Sequence, residues 1–169
     1  MFKRTLLYVL VMIILLALAI STSQWSKNTA LLEQQAVELS EWILQQESAA
    51  PNGQGTGTVL TFKGDSLISW TNNYVIPSEY DLKILSENPQ SEVIHLPQGF
   101  YWVKKELAAT QKTYTLIPLQ YTHPHHQLIR TNPTPIKSEI LFHNAEISVI
   151  PVFLDGKEIG WLPEDSVVE

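Results

Sequence analysis

The chain opens with two different hydrophobic patterns. From Leu6 to Ile20 it is apolar without interruption (LLYVLVMIILLALAI), and 11 of those 15 residues are Leu, Ile or Val. At ~0.3–0.6 kcal/mol each they favour a bilayer by roughly 3–6 kcal/mol. Counting Thr5 to Ser23 as helix gives 19 residues, a rise of ~28 Å and close to the hydrocarbon thickness. The pattern therefore predicts a transmembrane anchor over 5–24, with Tyr8 and Trp25 near the two interfaces. The basic residues Lys3 and Arg4 hold segment 1–4 inside. The expected location is the inner (cytoplasmic) membrane, single-pass, with the main domain periplasmic or extracellular. The small residues in Ala17-Leu18-Ala19 and Ala19-Ile20-Ser21 leave a cleavable signal peptide as the alternative.

The second pattern is periodic. Over Asn28–Ala49, Leu32, Ala36, Leu39 and Ile43 recur at spacings of four, three and four, widened by Leu31 and Trp42. Glu33, Gln34, Glu38, Glu41 and Gln45 take the other face, so an amphipathic juxtamembrane helix is expected over 25–50, ended by Pro51-Asn52-Gly53. Its stripe could pack on the following sheet or pair with a second copy as a homodimer through 28–49. Packing on the sheet is the preferred reading.

From residue 51 onward the signals are short strands. Thr58–Phe62 and Ser66–Trp70 flank Lys63-Gly64-Asp65, read as a three-residue hairpin loop. Pro77–Pro89 reads as a loop with a helical turn around Tyr80–Ser86. Further strands are expected at Ser91–Leu96, Phe100–Lys105 and Thr113–Gln120, with Pro118 at an edge or a bulge. Tyr121–Pro135 is a His- and Pro-rich loop. Glu146–Leu154 and Glu158–Leu162 form a hairpin about Asp155-Gly156. The expected fold class is α+β: a transmembrane helix, the juxtamembrane helix, and a small antiparallel β-sheet domain over 51–169.

Composition narrows the chemistry. A net charge of −6 with 11 scattered Lys and Arg gives no basic stripe for nucleic acid. The absence of cysteine removes disulfides, thiolate metal sites and a cysteine nucleophile. His123, His125 and His126 are the weak metal candidates, since neighbours on one loop seldom converge as ligands. No nucleophile elbow, phosphate-cradling loop or spaced carboxylate pair occurs, so neither a catalytic residue nor a cofactor is expected. The ligand-binding residues are left unassigned. Trp70, Trp102, Trp161, Tyr74, Tyr101 and Tyr114 are read chiefly as core.

One series of motifs carries a resemblance. Lys63-Gly64-Asp65-Ser66-Leu67-Ile68-Ser69-Trp70-Thr71-Asn72-Asn73, then Gly99-Phe100-Tyr101-Trp102-Val103, then Tyr114 to Tyr121, then Asp155-Gly156, follow one another in order. Together they resemble the extracytoplasmic sensor regions of certain bacterial membrane histidine kinases of two-component systems. The resemblance marks Trp70, Asn73, Gly99, Tyr101, Asp155 and Gly156 as motif residues, expected in the core. It implies a membrane-anchored sensor that binds an unknown extracytoplasmic ligand or protein and passes the signal through its anchor. Kinase activity would follow only if this chain were the front part of a longer protein. The alternative is a stand-alone anchored or secreted interaction or structural module of the envelope.

Overall fold

The computed structural model describes residues 2–72, 75, 77–87, 91–121, 133–136, 140–142 and 149–163, without the side chains of 2–10, 24, 25, 86 and 87. The two predicted N-terminal helices are one: α1 runs unbroken through Phe2–Ala49. A 3-10 turn with Pro51 closes it, and Gly53 (φ 68°) donates its N–H to the Ala50 carbonyl at 2.9 Å.

The expected anchor is corrected. Among the described residues no helix is long and apolar enough to cross a membrane. The unbroken apolar run of α1 ends at Ile20. Ser21, Thr22, Ser23, Ser26 and Lys27 follow in the same helix. The transmembrane segment 5–24, the single-pass inner-membrane location and the juxtamembrane identity of 25–50 all rested on that anchor and are withdrawn.

The strands are β1 (Thr58–Lys63), β2 (Ser66–Trp70), β3 (Glu92–Leu96), β4 (Gly99–Leu107), β5 (Gln111–Tyr121), β6 (Val149–Leu154) and β7 (Lys157–Pro163), with a second helix α2 (Glu79–Glu87) between β2 and β3. They form an antiparallel five-stranded sheet in the order β2-β1-β5-β4-β3 and a separate β6–β7 hairpin. The β1–β2 loop is tighter than expected. Lys63 pairs with Ser66, leaving two central residues, and Gly64 takes the positive φ (62°) at the first of them. Pro118 lies in the central strand β5, not at an edge. Tyr101 pairs with Pro118 while Phe100 pairs with Gln120, so Leu119 is an extra residue and the bulge accommodates the missing N–H.

Alternation along β4 and β5 builds two cores. Trp102, Ile117 and Leu119 join Leu32, Ala36, Leu39 and Ile43 of α1 and Val152, Leu154, Ile159 and Leu162 of the hairpin. Tyr101, Val103, Tyr114 and Leu116 face the other way, where they cluster with Leu60, Phe62, Ile94, Leu96 and Leu85 of α2. The periodic stripe of α1 thus packs on the sheet and the hairpin, while Leu31, assigned to the stripe, is exposed. Helix α1 contacts β6 most extensively and β5 less so.

Leu39 is fully buried whereas Val37 is 58% exposed. Leu39→Ala should lower the unfolding free energy by about 2–5 kcal/mol, and Val37→Ala should change it by no more than about 0.5 kcal/mol. Urea denaturation of the two variants checks the assignment of the helix face.

Candidate functional site

The two layers that grip α1 do so through different chemistry. On the sheet side, the Glu47 carboxylate accepts hydrogen bonds from Trp102 Nε1 (2.7 Å) and Lys104 Nζ (2.8 Å). The side chain of Glu47 is only 8% exposed, so the carboxylate is compensated where it is buried. The same contact raises the Lys104 ammonium above its ordinary range, first through the hydrogen bond it donates to Glu47. On the hairpin side, the Ser40 hydroxyl shares its one proton between the Phe153 carbonyl (2.8 Å) and the Ala36 carbonyl of its own helix (2.9 Å). One helix is therefore tied to two separate β-layers seven residues apart.

The facing edges of those layers enclose a cleft of about 290 Å³. Glu92, Val93 and His95 of β3 form one wall, and Lys157 to Trp161 of β7 the other. His95, Phe100 and Phe142 stack in a column, with ring centroids 4.4 and 4.2 Å apart. Lys157 Nζ crosses between the walls and donates to the Ser91 carbonyl at 2.6 Å. Gly160 belongs to the packing of this region: a Cβ there would sit 3.0 Å from Ile140 Cγ2 and 3.1 Å from the Leu141 carbonyl oxygen. Aromatic and apolar surface with Glu92, Glu158 and His95 among its polar groups suits a small ligand or a side chain from a partner. A second cleft, about 260 Å³, lies between α2 and the β1–β2 hairpin, floored by Phe62, Leu82, Leu85 and Tyr114 and edged by Asp65, Glu79, Lys83 and Lys112.

The motif residues are spread over the fold. Trp70 was expected in the core and is 57% exposed, because β2 is an edge strand exposed along its whole length. The work of that motif falls to its neighbours. Thr71 Oγ1 accepts from Val59 N at 3.0 Å, and Asn72 holds both the Thr58 hydroxyl (2.6 Å) and the Gly57 carbonyl (2.7 Å). Asn73 lies outside the described residues, as do His123, His125 and His126. Among the described residues no three His, Cys, Asp or Glu side chains gather to hold a metal. Gly99 is buried at φ 154°, and a Cβ would run into the Gln120 carbonyl oxygen. Asp155 (φ 51°) and Gly156 (φ 76°) make the two-residue turn between β6 and β7.

Tyr101 is fully buried. Its phenol is raised above the ordinary value of 10.0, chiefly by burial and further by Tyr121 and Asp81. Periodicity alone did not single out Glu47 or Asp81. Both were legible only as acidic residues within helical segments, and their burial depends on which strand each helix meets.

The folded state holds the Tyr101 proton more tightly than the unfolded chain does. Its contribution to stability is complete below pH 10 and is lost as the pH rises from there through the folded-state value. Denaturant midpoints measured from pH 8 to 11 should fall in the wild type, and Tyr101→Phe should remove part of that alkaline loss. An unchanged pH profile in the variant would show that the phenol is not held neutral by the fold. No protein-family model, curated protein or solved structure matches the chain.

Proposed function

We propose that this chain is a non-catalytic recognition module of the sensor type, in which an occupant of the cleft between β3 and β7 alters how α1 is held. One observation carries the reading. The helix is fastened to the sheet at Glu47 and to the hairpin at Ser40, and the cleft lies between those same two layers. A ligand that favours one spacing of the layers biases two packings of the helix, and its differential affinity for them is the whole source of the signal. The order of the hairpin motifs, which resembles that of histidine kinase sensor regions, supports the same reading. It assigns no particular stimulus.

A second reading, an interaction module with no signalling step, is favoured by the edge strand β2. Leu67, Ile68 and Trp70 there are 37%, 49% and 57% exposed. Ser69 pairs with Thr61 and Leu67 with Phe62, so Ile68 is a bulged residue. The bulge sets Leu67 and Trp70 opposite Phe62 and Leu60, on a single face. A homodimer through α1 would have to use the outward face with Val37 and Leu44, since the stripe from Leu32 to Ile43 is already covered.

Lys157→Ala cuts the bridge across the cleft without touching α1. Amide hydrogen exchange in the full chain should then quicken at β3 and β7 and also over residues 36–47 of the helix. Acceleration confined to β3 and β7 would remove the coupling on which the sensor reading depends.

A further inference from the structure

Two polar side chains are buried beneath α2: Asp81 of the helix and Tyr101 of β4. Leu85, one turn along α2 from Asp81, packs in the same cluster as Tyr101. Asp81 and Tyr101 are both 0% exposed, and Asp81 Oδ1 and Tyr101 Oη have no hydrogen-bond partner. Burial, and after it Tyr121 and Asp81, hold the Tyr101 phenol above its ordinary value.

The other half of the carboxylate is accounted for. Asp81 Oδ2 accepts the Ser78 N–H at 2.9 Å, and the Asp81 N–H reaches Ser78 Oγ at 3.3 Å. This reciprocal cap fixes the first turn of α2 and turns Oδ1 inward. Asp81 takes no part in the ion pairs of Lys104 and Lys112, which go to Glu47, Glu106 and Asp65. Burying a carboxylate oxygen without a cationic or hydrogen-bonding partner is costly, and such a group calls for an explanation.

We infer that Asp81 and Tyr101 form a buried site for a small monovalent cationic group, either an alkali-metal ion or a primary ammonium. The charge balance sets the class. One carboxylate oxygen and one phenol oxygen match a single positive charge, whereas divalent calcium or magnesium demands six or more hard oxygens or a tightly held hydration shell. A primary ammonium offers three N–H donors, enough to serve the carboxylate oxygen and the phenol oxygen together. This site is separate from the cleft between β3 and β7, so it neither requires nor excludes the sensor reading. Occupation would tighten α2 onto the sheet, because the ligand bridges helix and strand.

The thermal midpoint of the full chain in matched chloride salts tests the site. Potassium, sodium, ammonium and methylammonium chloride are compared with tetramethylammonium chloride, whose cation is larger and carries no N–H. The expected result is a midpoint higher by about 2–4 °C at saturating concentrations of a small cation than in tetramethylammonium. Asp81→Asn and Tyr101→Phe should each abolish that difference. Asp81→Asn keeps an acceptor for the Ser78 N–H, and in tetramethylammonium it should be at least as stable as the wild type. A response to potassium or sodium alone assigns the site to a metal ion, and a response to methylammonium assigns it to an amine-bearing ligand. Identical midpoints in all five salts, or a difference that persists in both variants, would overturn the inference.

Discussion

Leu32, Ala36, Leu39 and Ile43 lie on one stripe of α1, and the arrangement of the domain follows from keeping that stripe out of water. The larger three are fully buried, each contributing roughly 1.5–3 kcal/mol by burial. The five-stranded sheet covers the stripe only in part, through Trp102, Ile117 and Leu119. The β6–β7 hairpin supplies the remainder and thereby becomes a second layer rather than an extension of the first. Two layers on one helix leave a seam between their edges, and the cleft with its aromatic column is that seam.

Polar groups fix the geometry that apolar burial leaves loose. Hydrophobic contact tolerates sliding, but Glu47 with Trp102 and Lys104, and Ser40 with the Phe153 carbonyl, set the height and rotation of α1 against each layer. On the opposite face of the sheet the polar arrangement differs. Asp81 and Tyr101 are buried with one atom each unpartnered, beside a short helix whose first turn Asp81 itself caps. A satisfied carboxylate thus holds the long helix, while a half-satisfied one sits under the short helix.

Much of the architecture was legible in the residues. The stripe of α1, the strand positions and the Asp155-Gly156 turn follow from local periodicity and turn chemistry, which act over a few residues. Four features were not legible. The apolar run 6–20 reads as a membrane anchor, yet among the described residues no helix is long and apolar enough to cross a membrane. Trp70 looks like core, but burial depends on strand order, and β2 falls at an edge where α2 does not cover it. The cleft depends on where β7 lies relative to β3, a relation between segments some sixty residues apart that no local pattern encodes. The Asp81–Tyr101 pair was hidden for the same reason.

Native-state hydrogen exchange under increasing denaturant tests most directly the claim that α1 is held jointly by the two layers. If the claim holds, amides of β4, β5, β6, β7 and residues 32–47 of α1 converge on one opening free energy and behave as one cooperative unit. If β6 and β7 open at clearly lower free energy while α1 stays protected on the sheet, the helix is held by the sheet alone. The seam would then be a passive gap with no route to the helix.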